Sequence, residues 1–161
     1  MPINTTPTAI VWLKRDLRLR DHAVLDAAQK KHKQLLLLYI AEPSLRKEAH
    51  SSERHFNFIK ASLQDLNDQL NDYNSSVLCI EGEVIEVFTQ LRNLLHITGV
   101  YSHIETGIGI TYQRDRNFAL WCEKHKIIWE EYRQQGVFRA MQNRKQWIHS
   151  ARKAQVATPT L

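Results

Sequence analysis

The 161-residue sequence holds two cysteines, four prolines and five glycines, and these scarcities remove whole classes of protein. Cys79 and Cys122 form no CxxC pair and cannot staple a disulfide scaffold. Both fall in stretches expected to be core, so two buried, unpaired thiols are expected. The eight histidines are scattered and no HExxH occurs, so no metal-ligand spacing is legible. The longest apolar run, Leu35 to Ala41, falls far short of the ~20 residues that cross a bilayer. The opening MPINTTPT lacks the basic-then-apolar layout of a signal peptide, and a cytoplasmic protein with no membrane partner is expected. GxxxxGK[ST], GxSxG, HxGH and SGGxDS are all missing. Their absence excludes a P-loop, a nucleophile elbow and the usual nucleotidylyl-transfer and ATP-pyrophosphatase motifs. No set of side chains reads as a catalytic group.

Hydrophobic residues make up 43% and charged residues 24%, an ordinary globular balance, and the length suits one domain. The net charge of +5 comes from lysines and arginines spread along the chain, without a basic stripe interleaved with aromatics. A solvated surface with one local anion site explains it better than a nucleic-acid face.

Five short runs rich in β-formers punctuate the chain: Ala9 to Leu13, Leu35 to Ile40, Ser76 to Ile80, Gly99 to Ile104 and Ile127 to Trp129. Continuous apolar runs bounded by polar turns suit strands buried on both faces. Helical periodicity fills the gaps. Asp21 is expected to cap a helix through Ala28. From Ser52, the residues Phe56, Ile59, Leu63, Leu66 and Leu70 form one apolar face. Val84, Val87, Phe88, Leu91 and Leu95 form another, and Tyr112, Asp115, Ala119 and Cys122 a third, widened by Phe118 and Trp121. The alternation predicts an α/β fold, a doubly wound parallel sheet with right-handed crossovers. Residues 1–8 and 155–161 are expected to fray.

Ligands of such sheets sit beyond the carboxyl ends of the strands, where strand order reverses. If strands one and four flank that point, the loop from Lys14 to Asp21 meets the loop from Glu105 to Ile110. The first offers guanidinium groups and a helix N-terminus, which favour anions. The second offers Gly107 and Gly109, which admit close approach to the backbone. GIGITY lacks the third glycine of GxGxxG. The first loop reads equally well as an ion-pair knot, Arg18 with Asp21 or Arg15 with Asp16, of the kind that stabilises little when exposed.

Trp12-Leu13-Lys14-Arg15-Asp16-Leu17-Arg18-Leu19-Arg20-Asp21 resembles the W-[FL]-R-R-D-L-R-L-x-D-N opening of the photolyase/cryptochrome family. In register with it, Tyr39-Ile40-Ala41-Glu42-Pro43 resembles that family's second strand. Arg54, Phe58, Ser62 and Leu63 resemble its following helix, Gly82-Glu83 its next turn, and Arg114-Asp115 the pair opening its helix after strand four. Gln135 to Arg139 and Asn143, Arg144 and Trp147 are similar to the segment that follows in some bacterial cryptochrome-like members.

The resemblance implies a three-layer, Rossmann-like, five-stranded parallel sheet of order 3-2-1-4-5 over residues 9–132. It makes residues 133–161 an extension or linker towards an FAD-binding helical domain, on the same or a separate chain. It also implies an antenna role, in which a light-harvesting pigment is held here while FAD, the electron-transferring tryptophans and any DNA contact belong to the helical domain. The four tryptophans are then core or surface residues, and the chain alone is expected not to be catalytic. The family setting is a flavoprotein of light-driven DNA repair or blue-light sensing.

Two positions depart from the pattern. His22 stands where the family has Asn, and Ile110-Thr111 stand where folate-holding members have Asn-Glu. A flavin or deazaflavin is therefore expected rather than folate, or no pigment at all. The pocket residues implied are Lys14, Arg15, Asp16, Leu17, Glu42, Glu105, Gly107 and Gly109, flanked by Arg114 and Asp115. The competing readings are a pigment-free interdomain adapter that docks through the loop-one arginines, and a stress-protein-like nucleotide-binding domain.

Overall fold

The computed structural model describes residues 3–49 and 51–133. Strands β1 (Asn4–Leu13), β2 (Leu35–Ala41), β3 (Val77–Glu81), β4 (Leu95–His103) and β5 (Ile128–Tyr132) form one sheet of order β3-β2-β1-β4-β5. Every neighbouring pair is parallel. Helices α1 (Ala23–Lys31), α2 (Pro43–Arg46), α3 (Glu53–Asn71), α4 (Val84–Leu94) and α5 (Gly109–His125) make the connections.

The period of two along β1 divides the core. Ile10 and Trp12 join Leu38, Ile40, Phe88 and Phe118 under α4 and α5. Ala9, Val11 and Leu13 join Val24, Ala28, Leu66 and Leu70 under α1 and α3. Trp12 meets Phe88 and Phe118 edge-on at 5.7 and 5.1 Å. Each fully buried aromatic of this kind stabilises by about 1.5–3 kcal/mol. Cys122 lies in the same layer, and burial pushes its thiol up to about 12.

Several expectations need correction. β1 begins at Asn4, so the expected fraying of residues 4–8 is replaced by pairing with the start of β4. Asp21 is not the cap of α1, because its φ of 49° places it in the left-handed region, whereas a cap residue needs extended backbone. His22 caps instead, its Nδ1 accepting from the Leu25 N–H. β3 is an edge strand with only Val77 buried, so Cys79 is exposed, and both thiols are unpaired. The stripe on α3 is buried against the sheet only at Leu66 and Leu70. On α5 the inward face is Thr111, Asp115, Phe118, Trp121 and Cys122, while Tyr112 is about half exposed. Beyond Arg133, the extension at 133–161, with the motif around Trp147, lies outside the described residues. Among the described residues, no helix is long and apolar enough to cross a membrane.

Candidate functional site

Strand order reverses between β1 and β4, so the loops leaving their carboxyl ends face each other. Loop one begins with Lys14, whose side chain is 4% exposed. Burial lowers its pKa, with Arg114 adding to the effect, but three groups hold the ammonium in place. Asp115 lies at 3.2 Å, Glu131 at 3.7 Å, and the Trp12 ring centroid at 4.3 Å.

Arg114, on the first turns of α5, binds Glu42 Oε1 at 2.6 Å and Asp115 Oδ1 at 2.9 Å, and approaches Glu105 at 3.6 Å. Its guanidinium also lies 5.0 Å from the Trp12 centroid. One cation thus serves three carboxylates. Burial is the dominant influence on Glu42 and leaves its carboxyl above the ordinary range despite Arg114. Arg15 reaches across to Glu105 at 3.0 Å, which ties the two loops together.

Asp16 turns away from this network. Its Oδ1 accepts from the Lys14 backbone N–H at 2.8 Å, and its Oδ2 lies 2.6 Å from His103 Nδ1 and 2.8 Å from His22 Nε2. The last contact is close but poorly aligned as a hydrogen bond. Burial works against the Asp16 charge, yet the N–H groups of His103 and His22 outweigh it and hold the carboxyl well below the usual range. The three donor atoms lie within 4.8 Å of one another, close enough to invite a metal. His22 argues against one. Its Nδ1 lone pair is committed to the Leu25 N–H, so in the neutral ring Nε2 carries the proton and has no lone pair for a cation. The group is a clamp joining loop one, α1 and β4.

Beside the rim network lies a cavity of about 670 Å³ between the ends of β2 and β3 and the inner face of α3. Tyr39, Leu45, Phe56, Ile59 and Leu63 supply apolar wall. Lys14, Arg15, Glu42, Glu105 and Arg114 form the polar end, and Arg46, His55, Lys60 and Glu81 also line it. The volume and lining suit a small aromatic ligand.

Of the residues expected at the site, Lys14, Arg15, Glu42 and Glu105 line the cavity, as does the flanking Arg114. Asp16 belongs to the clamp, and Leu17 packs against the α1 and α3 layer. Gly107 sits under the rim, where a Cβ would lie 2.6 Å from Arg15 Nη2 and 2.8 Å from Glu105 Oε1. Gly109 opens α5 with nothing within 4 Å of such a carbon. Asp115 pairs with Lys14 and Arg114. The expected pairs Arg15–Asp16 and Arg18–Asp21 are replaced by Arg15–Glu105 and a bond from Arg18 to the Asp21 carbonyl.

Sequence reasoning missed the α3 wall and the two clamp histidines. The wall did leave a signal, since five apolar residues over five turns exceed what a narrow edge strand can cover. His22 and His103 are separated by about half the chain, and no local spacing links them.

The DNA photolyase family model matches residues 9–158. The chain belongs to the DNA photolyase family. It is 31% identical to a cryptochrome DASH of Gloeobacter violaceus over 122 residues, covering 72% of this chain and 24% of that protein. It is 28% identical to a deoxyribodipyrimidine photo-lyase of Synechococcus, covering 67% of this chain and 22% of that protein. It thus spans less than a quarter of the length of these curated relatives. Among solved structures, a Synechocystis cryptochrome superposes with a TM-score of 0.79 at 20% identity, covering 98% of this chain and 35% of that one. An archaeal photolyase from Sulfolobus tokodaii, described as carrying two FAD molecules with implication of a novel light-harvesting cofactor, gives 0.74 at 23% identity. It covers 91% of this chain and 35% of that one. These two likenesses show the shared fold, a five-stranded parallel α/β layer placed in the N-terminal region of the photolyase family.

Proposed function

We propose that this chain is the antenna layer of a photolyase- or cryptochrome-type flavoprotein, with residues 9–132 as the folded unit. Its cavity would hold a flavin or deazaflavin pigment that passes excitation to FAD in a helical domain. The observation that carries the reading is the cavity of about 670 Å³ with an aromatic and aliphatic wall and a self-neutralised polar end. When bound, the pigment supplies light absorption. The protein's part is to fix its orientation and exclude water, and no bond-making is assigned to these residues. Phe56, Ile59 and Leu63 would pack against the ring, and Arg114 keeps Glu42 and Glu105 from presenting uncompensated charge to it. The archaeal relative with two FAD molecules lends support to a flavin. Folate is less well supported. Thr111, where folate-holding members carry a carboxylate, is 1% exposed and gives its hydroxyl to the Ile108 carbonyl.

The test is incubation of the purified chain with flavin, deazaflavin and folate, followed by desalting and absorption and fluorescence spectra. A retained near-ultraviolet or blue band is expected with a flavin or deazaflavin. Failure with all three removes the pigment claim, and ATP serves as the control for a nucleotide-binding site.

A second reading, a pigment-free adapter docking on the helical domain, draws on one observation. Arg18 Nε is buried without a hydrogen-bond partner among the described residues, so a carboxylate from a docking surface would complete it. On that reading Arg18→Ala weakens association with a separately expressed FAD domain and leaves pigment spectra unchanged. DNA contact would come through that domain.

A further inference from the structure

We propose that Arg46 and Lys60, both beside Phe56, form an anion subsite at the outer end of the cavity that selects a pigment bearing a phosphate over the same ring without one. The inference rests on the pigment reading above and names the chemical class of the ligand.

The charge inventory of the cavity leads to it. At the inner end, every cation already has an acid. Lys14 faces Asp115 and Glu131, Arg15 faces Glu105, and Arg114 binds Glu42 and Asp115. A charged ligand group placed there would disrupt these pairs, so the inner end suits a neutral ring edge carrying carbonyl and N–H groups. The outer end differs. Neither Arg46 nor Lys60 lies within ion-pair distance of a carboxylate of the described residues, and both line the same cavity. Arg46 lies with its guanidinium carbon 5.3 Å from the Phe56 ring centroid. Lys60 follows Phe56 by four residues on α3, one helical turn along the same face. The opposing group is Glu81 at the end of β3, one acid against two cations.

The cavity therefore runs from a neutralised polar end, along apolar wall, to an excess of positive charge at Arg46 and Lys60. A rigid aromatic ring with a flexible phosphorylated tail matches that gradient, with the ring inward and the phosphate between Arg46 and Lys60. Both partners can form charge-assisted bonds to phosphate oxygens, and Arg46 can do so with two parallel N–H groups. The same ring ending in a sugar alcohol satisfies the wall but leaves the mouth uncompensated.

Riboflavin and FMN differ by that phosphate alone, so they form a matched pair. Flavin fluorescence titration of the full chain should give FMN the tighter binding by roughly tenfold at low salt, equivalent to 1.4 kcal/mol. The advantage should shrink as ionic strength rises, because the contacts are near solvent. Arg46→Gln and Lys60→Gln should each weaken FMN several-fold and leave riboflavin unchanged. The double variant should bring the two ligands level, Glu81→Gln should favour FMN further, and millimolar inorganic phosphate should compete with FMN only. All three side chains are exposed, so circular dichroism should report an unaltered fold. Equal binding of FMN and riboflavin by the natural chain, or parallel loss of both in the double variant, overturns the anion subsite and leaves the pigment reading standing. Failure of FMN, riboflavin, deazaflavin and folate alike to bind overturns the pigment reading itself.

Discussion

Asp16 and Glu42 are both buried carboxylates at the carboxyl end of the sheet, and they titrate in opposite directions. Asp16 is served by three N–H groups, from the Lys14 backbone and the rings of His103 and His22. Its carboxyl is held below the ordinary value. Glu42 has one guanidinium, which it shares with Asp115 and Glu105, and burial leaves its carboxyl above the ordinary value. The difference lies in the number of donors per carboxylate, since both are almost fully enclosed. A saturated carboxylate is a structural fixture. A carboxylate sharing its only cation keeps the polarity of the cavity adjustable.

The largest effect should come from emptying the saturated group. Asp16→Asn removes the charge and puts an NH2 donor in place of one of the two accepting oxygens that join loop one, α1 and β4, so one N–H is left facing another N–H. Truncating one partner of a buried charged network costs about 3–5 kcal/mol, and urea unfolding should show a loss of this size. A loss under 1 kcal/mol would mean that the clamp carries no weight.

Arg114→Gln breaks the other side of the comparison. It leaves Glu42, Glu105 and Asp115 without their shared cation and should cost about 2–4 kcal/mol at neutral pH. Glu42, whose carboxyl burial already holds above its ordinary range, can recover by taking up a proton, so this loss should diminish as pH falls through the carboxylate range. Chemical denaturation at pH 7 and pH 5 checks that sign, and a pH-independent loss would show that sharing does not matter.

His22→Asn is milder. Asn is a strong helix cap, so the bond to the Leu25 N–H survives, and the contact with Asp16 and the ring contact with His103 are lost. About 1 kcal/mol is expected. The pH dependence is the sharper readout. A carboxylate whose folded pKa is depressed adds stability that is complete above its ordinary value, about 3.9, and is lost as pH falls through the lower folded value. With one donor fewer, the Asp16 pKa should rise towards its ordinary value, so the stability lost on acidification should be smaller and should level off at a higher pH than in the natural chain. An unmoved acid limb would assign the depression to His103 and the Lys14 N–H alone.

How much of this was legible in the sequence follows from the range of each interaction. Period-two alternation in Ala9 to Leu13 and the helical stripes act over a few residues, so sheet, layers and alternation could be read directly. The basic turn after Leu13 and the Glu105 loop could be brought together because the topology dictates where strand ends lie. The Asp16 clamp could not, since a histidine 87 positions away in sequence meets the carboxylate only once β1 and β4 are paired. Leu66 and Phe56 belong to one apolar stripe, yet one is buried against the sheet and the other lines a cavity. Only the width of the sheet separates those outcomes, and that width is not a local property.

The two glycines of loop four, the segment from Glu105 to Ile110, give the smallest effects and separate two reasons for having a glycine. A Cβ at Gly107 would press on Arg15 and Glu105 at the ends of flexible side chains. Gly107→Ala should therefore fold normally but open the ion pair at the rim and weaken pigment binding a few-fold. Gly109 is the first residue of α5, its φ is not positive, and a Cβ there meets nothing within 4 Å. Gly109→Ala removes conformational freedom from the unfolded chain without a clash, so it should raise stability by about 0.4–1 kcal/mol and leave binding untouched. If Gly109→Ala also weakened binding, the ligand would have to approach the N-terminus of α5 closely, and the site would lie nearer loop four than the wall of α3 suggests.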